Sequence, residues 1–156
     1  MTRKILPCTA VLFLFAACAT SPPQGPMIDD TSFYLGRFDK VWEVTMKVLE
    51  RKSLEVKDSS REKGEITTKF VNYSVGAKAH HELEKIAEKP ELRLGLYTQV
   101  GYSVTIRLAA INEMSTQVKI TADIEAYDTN VTKKWQPCKS KGVIERELLE
   151  KIRDSL

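Results

Sequence analysis

The stretch VGYSVTIRLAAINEMSTQVKITADIEA, residues 100–126, decides the fold. In its first half Val100, Tyr102, Val104, Ile106, Leu108 and Ala110 alternate with Gly101, Ser103, Thr105, Arg107 and Ala109. In its second half Val118, Ile120, Ala122, Ile124 and Ala126 alternate with Gln117, Lys119, Thr121, Asp123 and Glu125. Successive strand side chains point to opposite faces, so a period of two gives each half one apolar and one polar face. Ile111-Asn112-Glu113-Met114-Ser115 reads as the turn between them. The pattern is that of two long antiparallel strands covered on one side only. Charges on the outer positions discourage edge-to-edge pairing.

Downstream, Asp128-Thr129-Asn130 opens a loop expected to run through Trp135 and Pro137, with Lys133-Lys134 and Lys139-Lys141 on solvated surface. Ser140 is a candidate N-cap, its hydroxyl placed to accept an early backbone N–H. Ile144, Leu148, Leu149, Ile152 and Leu156 then form one apolar helical stripe, with Glu145, Arg146, Glu147, Glu150, Lys151 and Arg153 on the remaining face. Such a helix lies across the apolar side of the sheet.

Upstream, residues 74–98 are the least regular. Ala77–Ala87 reads as a short helix with Leu83 and Ile86 on one side, and Pro90 stops it. Leu92, Leu94 and Leu96 alternate beyond it, as a short strand or as a lid over one end of the sheet. Earlier still, Leu54 and Val56, then Ile66, Thr68 and Phe70, show period two around a charged loop ending in Gly64, where a missing Cβ permits positive φ. Phe38, Val41, Trp42, Thr45, Val48 and Leu49 recur at helical spacing over about four turns, with Trp42 as a core anchor.

Together these elements predict an α+β domain over 34–156: an antiparallel sheet of about four to five strands, with an N-terminal and a C-terminal helix on one face. Ile106, Leu108, Ile120 and Leu148 would meet between sheet and C-terminal helix, either as core or as the lining of a small apolar cavity. Leu92, Leu94, Leu96 and Tyr97 form a candidate apolar contact for a partner protein.

The N-terminus carries a different message. Arg3 and Lys4 precede a short apolar run, Ile5 to Phe15, and Ala16-Ala17 precede Cys18. A dozen or so apolar residues fall short of the ~20 needed to span a bilayer, and the order positive, apolar, small is that of a secretory signal peptide over 1–17. Cys18 directly after the small pair resembles a bacterial lipobox, which makes it the lipidation site and first mature residue. Ala19–Pro26 is rich in Pro, Ser and Gly, and residues 18–33 read as a lipidated N-terminus and flexible tether. By resemblance to lipoprotein sorting signals, Ala19 implies the outer membrane, facing the periplasm.

Charge and cysteine count narrow the function. The chain has 24 basic and 21 acidic residues; removal of 1–17 leaves 22 against 21, no electrostatic footprint for nucleic acid. Cys138 would be the only free thiol, so no intramolecular disulfide supports the fold, and burial as a small apolar residue suits it. No phosphate loop, GxSxG elbow, HExxH pair or CxxC occurs. His80-His81 are adjacent and diverge on any regular backbone, which fits an exposed pair better than shared metal ligands. Glu82 and Glu84 beside His81 are the nearest thing to an acid–base cluster. The expectation is a chain with no catalytic site, no cofactor and no metal; its oligomeric state is left open.

Phe38-Asp39-Lys40-Val41-Trp42, the stretch from Leu54-Glu55-Val56 to Lys63-Gly64-Glu65-Ile66, Ser115-Thr116-Gln117-Val118 and Ser140-Lys141-Gly142-Val143-Ile144-Glu145 carry a resemblance over about 34–156. In this order, behind a lipobox, they resemble a single helix-grip domain of the BamC (NlpB) barrel-assembly lipoprotein family. That resemblance implies a helix-grip fold and an accessory, protein-docking role in outer-membrane or envelope assembly. The partners expected are thus the membrane, through the N-terminal lipid, and an envelope protein. A module binding a small apolar ligand or lipid between sheet and C-terminal helix is the alternative.

Overall fold

The computed structural model describes residues 29–156. Its elements, in chain order, are β1 (Thr31–Leu35), α1 (Phe38–Arg51), β2 (Val56–Ser60), β3 (Glu65–Thr68), β4 (Val71–Val75), α2 (Ala79–Ile86), β5 (Ala87–Glu88), β6 (Tyr97–Asn112), β7 (Ser115–Asp128), β8 (Lys134–Ser140) and α3 (Val143–Ser155). Every strand pairing is antiparallel. The sheet runs β2-β3-β6-β7-β8-β5, with β1 also on β7 and β4 also on β6. The α+β class is as expected, but the sheet has eight strands, not four to five.

The long hairpin dominates, as its period of two requires. Val104 faces Ala122, Ile106 faces Ile120 and Leu108 faces Val118 across β6 and β7, and all six are buried. Their common face is covered by α1, which buries Val41, Trp42, Val44, Thr45, Val48 and Leu49, and by α3, which buries Ile144, Leu148, Leu149 and Ile152. Trp42 sits in this core and stacks on Phe38 at 5.8 Å. The Tyr34 hydroxyl donates to the Leu149 carbonyl at 2.7 Å, tying β1 to α3. Burial raises the pKa of that phenol. The expected helix before Pro90 is α2, which adds Ala79, Leu83 and Ile86 to the core.

The extra strands come from sequence that hides its pairing. β1 takes in Thr31–Phe33, residues assigned above to the tether. The single strand expected through Phe70 is broken: the Lys69 N–H donates to the Glu55 carbonyl at 2.8 Å, and β4 restarts on β6. β5 is two residues long. β8 replaces the loop expected through Trp135 and Pro137, and carries Lys134 and Lys139. A proline and three lysines between 134 and 141 mask it, yet both are at home on a strand whose outer edge pairs only at Lys139 and Ser140. Leu92–Leu96 is neither strand nor helix; it is a turn with Leu94 at φ 67°, lying over one end of the sheet.

Two further expectations need correction at the start of α3. Gly142, at φ 79°, is the N-cap residue, and Ser140 accepts from its N–H at 3.0 Å instead of capping the helix. Glu145, placed above on the polar face, is buried at 2% exposure. Its Oε1 accepts from the Ala122 N–H at 3.2 Å and its Oε2 from the Ser140 hydroxyl at 2.9 Å. The register explains why. On the outer edge of β7, pairing with β1 ends near Ile120, whose N–H reaches Asp30, and pairing with β8 begins at Ile124. Ala122 falls in the gap, and a buried amide without a partner is costly. Glu145 fills that vacancy in the ladder.

Candidate functional site

Tyr97, where β6 begins, and Asp128, where β7 ends, pair directly, so both lie at the end of the sheet farthest from the Asn112–Ser115 turn. Asp128 is fully buried and organises this end. Its Oδ1 accepts from the N–H groups of Leu96 at 3.0 Å and Asn130 at 3.1 Å; its Oδ2 accepts from Val131 at 3.0 Å and Thr132 at 2.5 Å. The Thr132 amide foremost, with those of Leu96 and Asn130, holds the carboxyl well below the usual range despite desolvation. Asn130 Nδ2 donates to the Leu94 carbonyl at 2.8 Å, and the Thr129 N–H to that of Leu96 at 2.9 Å. One carboxylate thus clamps the 94–97 and 128–132 loops together.

The clamp presents apolar side chains to solvent. Leu94 is 76% exposed, Leu96 53% and Val131 51%. Of the four residues expected to form a partner contact, Leu94 and Leu96 stand at the surface and Leu92 is half-buried. Tyr97 does not join them. It is 3% exposed, its hydroxyl reaching the Pro90 carbonyl at 3.3 Å and its ring stacking on His80 at 6.2 Å. Tyr97 was grouped with the leucines as a neighbouring apolar residue, but at the first position of β6 its side chain points away from that of Leu96 and into the core.

Beside this loop surface, sequence reasoning missed an aromatic cluster. Trp135 on β8 packs edge-on against Phe70 at 5.1 Å and against Tyr127 on β7 at 5.7 Å. Phe70 lies over Gly101, where any Cβ would overlap its ring. A glycine inside a strand weakens it unless an aromatic covers the gap, which is what Phe70 does. Phe70 is exposed and the other two rings are half-buried. The available signal was Gly101 itself, a glycine interrupting an otherwise substantial strand.

The remaining candidates have structural duties. Ile106, Leu108, Ile120 and Leu148 are core residues, between 0 and 4% exposed. A surface cleft lies elsewhere, between α1 and β2, lined by Met46, Lys47, Glu50, Leu54 and Val56. Cys138 packs half-buried against the core, and burial pushes its thiol up to about 11. His81 is exposed, whereas His80 is half-buried with its Nε2 at 3.3 Å from Lys89 Nζ. Glu82 and Glu84 are engaged by Lys85 and Lys89, each at 2.7 Å, and those hydrogen bonds lower both carboxyl pKa values. Among the described residues no group of three or more His, Cys, Asp or Glu is placed to hold a metal ion. None of their helices is long and apolar enough to cross a membrane. Cys18 and the signal segment lie outside the described residues.

Comparison with protein-family models and with curated proteins finds no match to this chain.

Proposed function

We propose that this chain is a non-catalytic lipoprotein, anchored by lipid at Cys18 to the outer membrane and facing the periplasm, whose domain docks an envelope protein. The supporting observation is the clamped apolar end of the sheet: Leu94, Leu96 and Val131 exposed together, with Phe70, Tyr127 and Trp135 beside them. The hydrogen-bonded backbone beneath these side chains is already ordered before a partner arrives, which lowers the cost of binding, and exposed apolar patches mark interaction sites. The lipobox-like segment and the Pro-rich stretch after it supply the anchoring half of the reading. An accessory role in envelope assembly follows from the helix-grip resemblance. The apolar-ligand alternative draws less support, because its four lining residues are packed as core.

Two measurements test the reading. Cys18→Ser should move the protein from membranes to the soluble periplasmic fraction; membrane retention of the processed variant would contradict anchoring at Cys18. Affinity capture of the intact lipoprotein from envelopes should recover a partner at least tenfold less well when Leu94 and Leu96 are both replaced by Asp. Equal recovery would exclude this end as the docking surface.

A further inference from the structure

The opposite end of the sheet carries a second apolar surface. Phe33 is 67% exposed, Leu35 93%, Ile111 54% and Met114 67%. Tyr34 points to α3, so its neighbours Phe33 and Leu35 point to the uncovered face of the sheet. Ile111 and Met114 stand at the tip of the β6–β7 hairpin. The pieces form one unit: the Gly36 N–H donates to the Met114 carbonyl at 2.8 Å, and the Thr116 hydroxyl to the Gly36 carbonyl at 2.9 Å. Residues 31–36 and 108–118 bring one charge, Glu113, among 17 residues, where the chain-wide 29% would bring about five. Arg37 lines a shallow depression there with Glu113 and Met114.

We infer that this tip rests on a lipid bilayer, its apolar side chains entering the interface. The inference builds on the lipid-anchored reading above. Bilayer is favoured as the occupant by continuity with the anchor. The described chain begins at Asp29, and Asp30 meets the sheet at Ile120, six residues from Met114. That is about 20 Å along a strand. Ten residues, 19–28, separate Cys18 from Asp29, and a Pro-rich segment of that length reaches about 30 Å when extended, enough for the lipid and the tip to share one plane. Protruding apolar side chains with a nearby Arg suit the interface, where apolar groups enter the acyl boundary and a long cationic side chain keeps its head among polar groups. Contact at the tip then fixes the sheet's orientation. β6 runs 16 residues from tip to far end, about 50 Å, so Leu94 and Leu96 are held away from the membrane where a partner can reach them.

The test uses single cysteines at Leu35→Cys, Met114→Cys and Leu94→Cys in the mature full chain with Cys138→Ala, each carrying an environment-sensitive dye. The lipidated proteins are placed in phosphatidylethanolamine–phosphatidylglycerol vesicles containing brominated lipid, and acylation of Cys18 is read by mass spectrometry on the same samples. Quenching at positions 35 and 114 should exceed that at 94 at least twofold. Equal quenching at all three would overturn the tip contact while leaving the anchor intact, and an unmodified Cys18 would contradict the anchor alone. To read the tip independently of acylation, the same labels are placed in Cys18→Ser chains held on nickel-chelating lipid by an N-terminal histidine tag. They should show the same order. Protection of 35 and 114 without quencher dependence, in a chain that sediments as a dimer, would assign the tip to a second copy and overturn the bilayer contact.

Discussion

Glu145 does a backbone's work with a side chain. It accepts the Ala122 amide where neither β1 nor β8 reaches, and shares its other oxygen with Ser140. Glu145→Ala leaves that buried amide without a partner, at an expected cost of about 2–3 kcal/mol in urea unfolding. Glu145→Gln, which keeps an acceptor oxygen, should cost less than half as much; a cost under about 0.5 kcal/mol for Ala would refute this role. Asp128 supports a pH prediction. Its folded pKa lies below the ordinary carboxyl value of 3.8, so its stabilisation is fully present above that value and is lost as pH falls below it. In Asp128→Asn the fall in stability between about pH 5 and pH 2.5 should be shallower than in the parent, by chemical denaturation at stepped pH. An unchanged slope would show that the four amides do not hold a charged carboxylate. Neither role is legible in the sequence, because each carboxylate is defined by amides of other elements: Glu145 reads as helix surface, and Asp128 as the first residue of a loop.

Legibility among the elements follows how much of each one the core dictates. β6 and β7 alternate through most of their length because one face of each is buried, and α1 and α3 show their stripes for the same reason. β1, β4 and β8 lie outermost over much of their length, where packing demands less of the side chains, so Pro137 and exposed Leu35 are tolerated and periodicity fades. The aromatic cluster was hidden differently: Phe70, Tyr127 and Trp135 come from separate segments that only the sheet brings together. Gly64, by contrast, was legible, and its conformation has an energetic consequence. It sits at φ 66°, its carbonyl accepts from Leu108 N–H at 2.7 Å, and a Cβ there would overlap the Leu108 carbonyl. Gly64→Ala combines left-handed strain with backbone overlap and should destabilise by about 2–4 kcal/mol. An unchanged denaturation midpoint would mean that the β2–β3 turn can shift without disturbing β6.

At the scale of the molecule, one hairpin separates two apolar ends by about 50 Å and a helical layer stiffens one face between them. Each end is proposed to have its own partner: bilayer at the Leu35–Met114 tip, protein at the Leu94–Leu96 end. This arrangement needs no catalytic group, since an anchored domain raises the local concentration of whatever it binds near the membrane. In-cell photo-crosslinking reads whether the clamped end docks a specific envelope protein. A photoreactive residue placed at Leu94 or Leu96 should give an adduct with one and the same envelope protein, should give none at exposed Lys57 on β2, and should give less when Cys18 is Ser. No adduct from 94 or 96, or an equal adduct from 57, would rule out docking at this end.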